Sequence, residues 1–138
     1  METKEFLRRV EGYRLNPYKD SKGLLTVGVG HLLERPYTPE EVEDLLERDL
    51  KDITLSLERL PYWSDLTPAR QCVLTSLAFN VGIGGFWKFK NMRAALEAKD
   101  YEKAAEELRD SNRSREDIAP WRSGLEYQMM KTGNWQED

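Results

Sequence analysis

The chain has one cysteine, Cys72, and one histidine, His31, among 138 residues. A single thiol excludes a disulfide within the chain. One Cys with one His also leaves too few soft ligands for a structural zinc site, so no metal or cofactor is expected. Cys72 borders the apolar run Val73–Phe79 and reads as a buried thiol rather than a reactive one. Excess positive charge is lacking too. With 21 Lys and Arg against 25 Asp and Glu, the formal net charge is −4, which gives no broad basic surface for nucleic acid or anionic membrane.

No stretch approaches the ~18 apolar residues of a membrane span, and the opening METKEFLRRVEGY has no apolar h-region. The expectation is a chain made in a cytosol, without signal peptide or stable membrane insertion. No repeat, low-complexity tract or Pro/Gly/Ser linker interrupts it, so residues 1–138 read as one monomeric domain, long enough to bury a core unaided.

What is present is mainly helical periodicity. Phe6, Leu7 and Val10 recur at helical spacing in residues 3–12, and Asn16-Pro17 closes that helix. From Pro17 to Leu33 the pattern changes. Asp20-Ser21-Lys22-Gly23 reads as a turn, and Leu24 to Gly30 as part of a hairpin or small sheet. Thr38-Pro39-Glu40-Glu41 is a helix start with an N-cap Thr, a Pro at the first position and a capping-box Glu. Its apolar positions run to about Leu60, before Pro61.

Thr67-Pro68 starts the next helix, apolar nearly all round and therefore central, which stops at Gly82-Ile83-Gly84-Gly85. Shorter helices follow at Asn91–Lys99, Asp100–Arg109 and Pro120–Lys131, with Gly133 as a C-terminal stop. The fold class is α+β, predominantly α. Its expected parts are a β-containing lobe at about 13–37, a linking helix at 38–60, and a helical lobe of 61–138 plus helix 3–12.

Two carboxylates flank the irregular segment. Glu11 ends the first helix near apolar Tyr13 and Leu15, where partial burial raises a carboxyl pKa. Asp20 sits in a turn, where water and backbone N–H groups keep it charged, and Thr26 offers a hydroxyl to hold a water. Such a pair suits general acid/base work. Glu at a helix end and Asp in a turn are also ordinary structural placements, and pattern alone leaves both readings open.

The residues Glu11-Gly12-Tyr13-Arg14-Leu15, Tyr18-Lys19-Asp20, Gly23 and Thr26-Val27-Gly28-Val29-Gly30-His31-Leu32-Leu33 resemble the signature of the T4-type lysozymes, glycoside hydrolase family 24. That signature is an E-G-x-R-L opening, a Y-x-D turn and a T-x-G-x-G-H segment. Weaker similarity continues through Asn80-Val81-Gly82, Asn91-Met92-Arg93, Pro120-x-Arg122 and Lys131-Thr132-Gly133-Asn134-Trp135.

The resemblance implies a lysozyme-like fold and an endolysin that cleaves the bond between N-acetylmuramic acid and N-acetylglucosamine in bacterial peptidoglycan. Glu11 would be the general acid, and Asp20 and Thr26 would position the attacking water. Inversion, usual in the family, calls for carboxyls about 6.5–9.5 Å apart. Gly30, Leu32 and Phe79 would contact the glycan, although core packing explains Leu32 and Phe79 nearly as well. His31 would anchor the hairpin through an acidic partner, and Arg122 would pair with the catalytic Glu. A holin-type lesion would give access to the cell wall.

The chain departs from the pattern in places. Few residues separate Leu33 from the Thr38 cap, which implies a compact hairpin lobe. Val10 and Leu125 stand where longer members carry a pairable Asp and Arg. Arg113–Ala119 lacks the aromatic common before P-x-R. Two alternatives accompany the hydrolase: a catalytically silent peptidoglycan-binding module, and a lytic transglycosylase.

Overall fold

In the computed structural model, residues 2–136 are described. The chain divides into two compact units, one ending at Glu43 and the other beginning at Asp44. The observed class is α+β and predominantly helical.

The first unit opens with α1, Thr3–Glu11. Glu5 in its first turn and Arg8 and Arg9 in its last complement the helix dipole. Gly12 N–H donates to the Arg8 carbonyl at 3.0 Å and closes it. Three antiparallel strands follow in the order β1 (Arg14–Lys19), β2 (Leu25–Gly28) and β3 (His31–Leu32). Strand β1 begins three residues before the expected hairpin start. Its register with β2 slips between the pairs Arg14–Gly28 and Tyr18–Thr26, so the intervening residues of β1 form a bulge. Pro17, which has no N–H for a ladder, falls within that bulge.

Helix α2, Pro39–Leu57, starts in the first unit and continues into the second. Its start is a complete capping box. Glu41 N–H donates to Thr38 Oγ1 at 3.2 Å, and Thr38 N–H donates to Glu41 Oε1 at 3.0 Å. The helix stops three residues short of Leu60. Leu60 N–H instead bonds the Leu57 carbonyl at 3.0 Å in a tighter turn ahead of Pro61.

The second unit holds a 3-10 turn at Trp63–Asp65 and four helices: α3 (Pro68–Trp87), α4 (Lys90–Glu97), α5 (Tyr101–Arg109) and α6 (Pro120–Thr132). Thr67 caps α3 by accepting from Arg70 N–H at 3.3 Å. The expected stop at Gly82 appears as a break. Gly82 has φ 78° and ψ 162°, and helical geometry resumes beyond it as far as Trp87. Leu57, Leu74, Leu77, Phe86, Leu96, Leu108 and Met130 are fully enclosed in one apolar core. Burial of each such side chain contributes roughly 1.5–3 kcal/mol. Arg113–Asp117 forms a single π-helical turn, an element the sequence pattern does not announce.

Candidate functional site

The first unit brings Glu11 against the hairpin. Gly30, in the turn between β2 and β3, has φ +64°, and a Cβ at that position would lie 2.8 Å from Glu11 Oε2. Only a glycine lets the carboxylate approach the turn this closely without displacement. Glu11 itself is exposed to solvent, as are Tyr13 and Leu15, so the partial burial expected beside them is absent.

Asp20 is fixed by its own turn. Oδ1 accepts from Lys22 N–H at 2.8 Å and Leu24 N–H at 2.9 Å, while the Asp20 backbone pairs with Leu24 and Gly23. These bonds orient the carboxylate through one oxygen, and among the described residues Oδ2 accepts no hydrogen bond from the protein. The Asx pattern explains why Asp occurs at this corner.

Thr26 sits in β2, opposite Tyr18 on one side and Leu32 on the other. It is 4% exposed, and its hydroxyl donates to the Leu24 carbonyl at 3.0 Å, leaving the oxygen lone pairs as acceptors. Leu32 is half-buried beside it. His31 pairs with Val27 across the strands and is exposed. Within this unit no acidic side chain bonds it among the described residues, so its place in the hairpin comes from the backbone ladder.

Phe79 and Arg122 belong to the second unit. Phe79 lies on α3 with 46% of its surface exposed, so it is not a core residue. Arg122 is half-buried. Its Nη2 donates to the Ser76 carbonyl at 3.1 Å and to Ser76 Oγ at 2.9 Å, and Nε stands 3.5 Å from Glu126 Oε2.

That arginine is the outer member of a network the sequence reading missed. Buried Glu126 takes a two-pronged bond from buried Arg113, one prong being Nη2 to Oε2 at 2.9 Å. It also accepts from Ser76 Oγ at 2.7 Å. Arg113 Nε donates to Asn80 Oδ1 at 3.0 Å. The π turn, α6 and the middle of α3 are thus tied together through Ser76 and Asn80, which flank Phe79 in the chain. One signal was available: Glu126 follows Arg122 by four residues and adjoins Leu125, on a helix whose next apolar residues are Met129 and Met130. A charge in that setting needs partners.

Cys72 is half-buried against the core, and burial pushes its thiol pKa up, which makes it a poor nucleophile. Among the described residues no three His, Cys, Asp or Glu side chains gather as a metal site requires. Among the described residues no single helix is long and apolar enough to cross a membrane.

A mostly helical α+β chain with a small three-stranded sheet, and a carboxylate held at the sheet's turn, defines a recognisable class. Residues 8–127 match the family model described as phage lysozyme, and the chain belongs to that family. Among its relatives is an endolysin of Salmonella phage P22, 36% identical, with 72% of this chain and 73% of the relative aligned. A probable T4-type lysozyme of Dictyostelium discoideum is 27% identical, with 94% of each aligned. The pre-baseplate central spike protein of Enterobacteria phage T4 is 34% identical over 80% of this chain, which spans only 24% of that larger protein.

Proposed function

We propose that the chain is an endolysin-type glycoside hydrolase that cuts the β-1,4 bond between N-acetylmuramic acid and N-acetylglucosamine in peptidoglycan. The observation that carries this is the seating of Glu11 against Gly30, in the same unit that fixes Asp20 by two backbone N–H bonds. Family membership and relatives named endolysin and lysozyme support it.

Glu11, protonated, gives its proton to the glycosidic oxygen as the bond to the anomeric carbon breaks. Asp20 accepts a proton through Oδ2 from a water that Thr26 helps hold, and the water oxygen bonds to the anomeric carbon. Two carboxyls with a water between them constitute the inverting arrangement. Gly30, Leu32 and Phe79 are the proposed glycan contacts, and His31 and Arg122 are supporting residues. Access to the wall through a holin-type lesion belongs to the same proposal.

Mass spectrometry of muropeptides released from purified sacculi tests the chemistry. The expected products carry one added water per cut. Anhydro ends would replace hydrolysis with transglycosylation, and binding without release would leave a silent wall-binding module. Clearing of outer-membrane-permeabilised Gram-negative cells by the wild type, lost in Asp20→Asn, tests the lytic outcome. General acid/base groups typically contribute about 10²–10⁴-fold in rate, and a loss of that size is expected.

A further inference from the structure

A groove on the second unit lies outside the proposed reaction. It has a volume of about 730 Å³, and its lining includes Arg109, Ser114, Arg115, Trp121, Tyr127 and Gln128. Among the described residues no Asp or Glu lines it, although acids outnumber bases in the chain as a whole. Trp121 stands in the first turn of α6 with 64% of its surface exposed.

The cationic wall is held in place. The Arg109 guanidinium lies 4.5 Å over the Tyr127 ring, and its Nε is 3.2 Å from Asp110 Oδ1, which orients the fork and offsets its charge. Arg115 has only a neutral bond among the described residues, from Nη2 to Asn112 Oδ1 at 3.1 Å. The π turn that carries it is anchored from inside. Arg113 is locked to Glu126, and Ser114 Oγ donates to the Leu108 carbonyl at 2.7 Å. Such preorganisation lowers the ordering cost of binding.

An open indole face suits the C–H face of a pyranose ring, and an unpaired guanidinium suits a carboxylate. We propose that this groove is a second peptidoglycan-binding surface, built from residues other than Glu11, Asp20 and Thr26. A sugar ring of the strand lies on Trp121, and a stem-peptide carboxylate pairs with Arg115. Among the described residues its lining offers no carboxylate to act as an acid or base, so the groove's proposed role is to hold substrate rather than cut it. A chain of net charge −4 is repelled by an anionic wall, and a local cationic groove offsets that repulsion. The identity of the ligand rests on the reading that peptidoglycan is the substrate.

The test is co-sedimentation with purified sacculi and titration with soluble muropeptides, using Glu11→Gln protein so that the ligand persists. Adding Trp121→Ala and Arg115→Ala is expected to weaken binding by at least about fivefold, the scale of one lost stacking and one lost ionic contact. Both residues are exposed, so the melting temperature should not move. Uncharged chitotetraose should bind more weakly than muropeptides and should not respond to Arg115→Ala. Unchanged sacculus binding would overturn the proposal. So would tighter binding of a single-stranded oligonucleotide than of muropeptide, or a wild-type dimer that dissociates on Trp121→Ala. Wild-type protein that releases no sugar ends while the groove variants still lose binding would instead refute hydrolysis alone.

Discussion

Among the described residues up to Glu43, Thr26 is the single buried one, whereas every member of the apolar core, from Leu57 to Met130, belongs to the second unit. The first unit is shaped by turns, the Asp20 side-chain bonds, the Thr38–Glu41 capping box and a bulged ladder. The second is shaped by enclosed Leu, Phe and Met side chains around α3. A hydrolytic centre must meet both polymer and water, and groups set by backbone hydrogen bonds remain open to both. The core, by contrast, sets stability. Substitutions in the second unit's apolar core should therefore lower stability, and those at the proposed site in the first should lower turnover.

The largest expected stability effects lie in the second unit. Phe86→Ala should cost about 3–5 kcal/mol in urea unfolding, the scale of an emptied aromatic site. Glu126→Ala should cost a similar amount, about 3–5 kcal/mol, because it strands buried Arg113 without its counter-charge. The double variant Arg113→Met with Glu126→Leu should recover most of that loss. A small loss for Glu126→Ala would mean that the network contributes little.

A smaller effect is expected at the turn. Gly30→Ala places a methyl against Glu11 Oε2 and forces a side chain into a positive φ, at about 1–3 kcal/mol. Its kcat on sacculi should fall far more than its stability, since the proposed acid is displaced. Wild-type kcat in Gly30→Ala would separate Glu11 from the turn.

The smallest effect concerns acid. The Arg35 side-chain bond, aided by the Thr38 backbone, holds the Glu41 carboxyl at about 2, below its ordinary 4.5. A depressed carboxyl pKa adds stability that is present above about 4.5 and lost as pH falls through about 2. The pair is open to solvent, so salt should weaken the effect. Carboxyl NMR should find Glu41 titrating near 2 in the wild type and moving up toward 4.5 in Arg35→Ala. An unmoved midpoint would rule out the ion pair as the cause.

Much of the fold was legible where a local rule decides it. Thr38-Pro39 and Thr67-Pro68 mark helix starts because cap, proline and dipole agree on one position. Gly82 marked a stop, but the chain turns there and resumes its helix. The β1 bulge was not legible, since a shifted register depends on the partner strand. The π turn at Arg113–Asp117 was missed for a related reason. Arg-Ser-Arg-Glu-Asp reads as a solvated charge run, and only the folded unit shows that Arg113 turns inward to Glu126 while Arg115 turns out. At the candidate site, Glu11, Asp20 and Thr26 were singled out by the motif resemblance, and their catalytic roles are a proposal. The buried hydroxyl of Thr26 and the close approach of Glu11 to Gly30 were not.

The most direct measurement is release of reducing sugar ends from purified sacculi by wild-type and Glu11→Gln proteins, with unfolding followed in parallel. Glu11 is exposed, so stability should change by no more than about 0.5 kcal/mol. Release should be robust in the wild type and fall by about 10²–10⁴-fold in the variant. An inactive wild type, or a Glu11→Gln protein that still cuts the wall, would contradict the account.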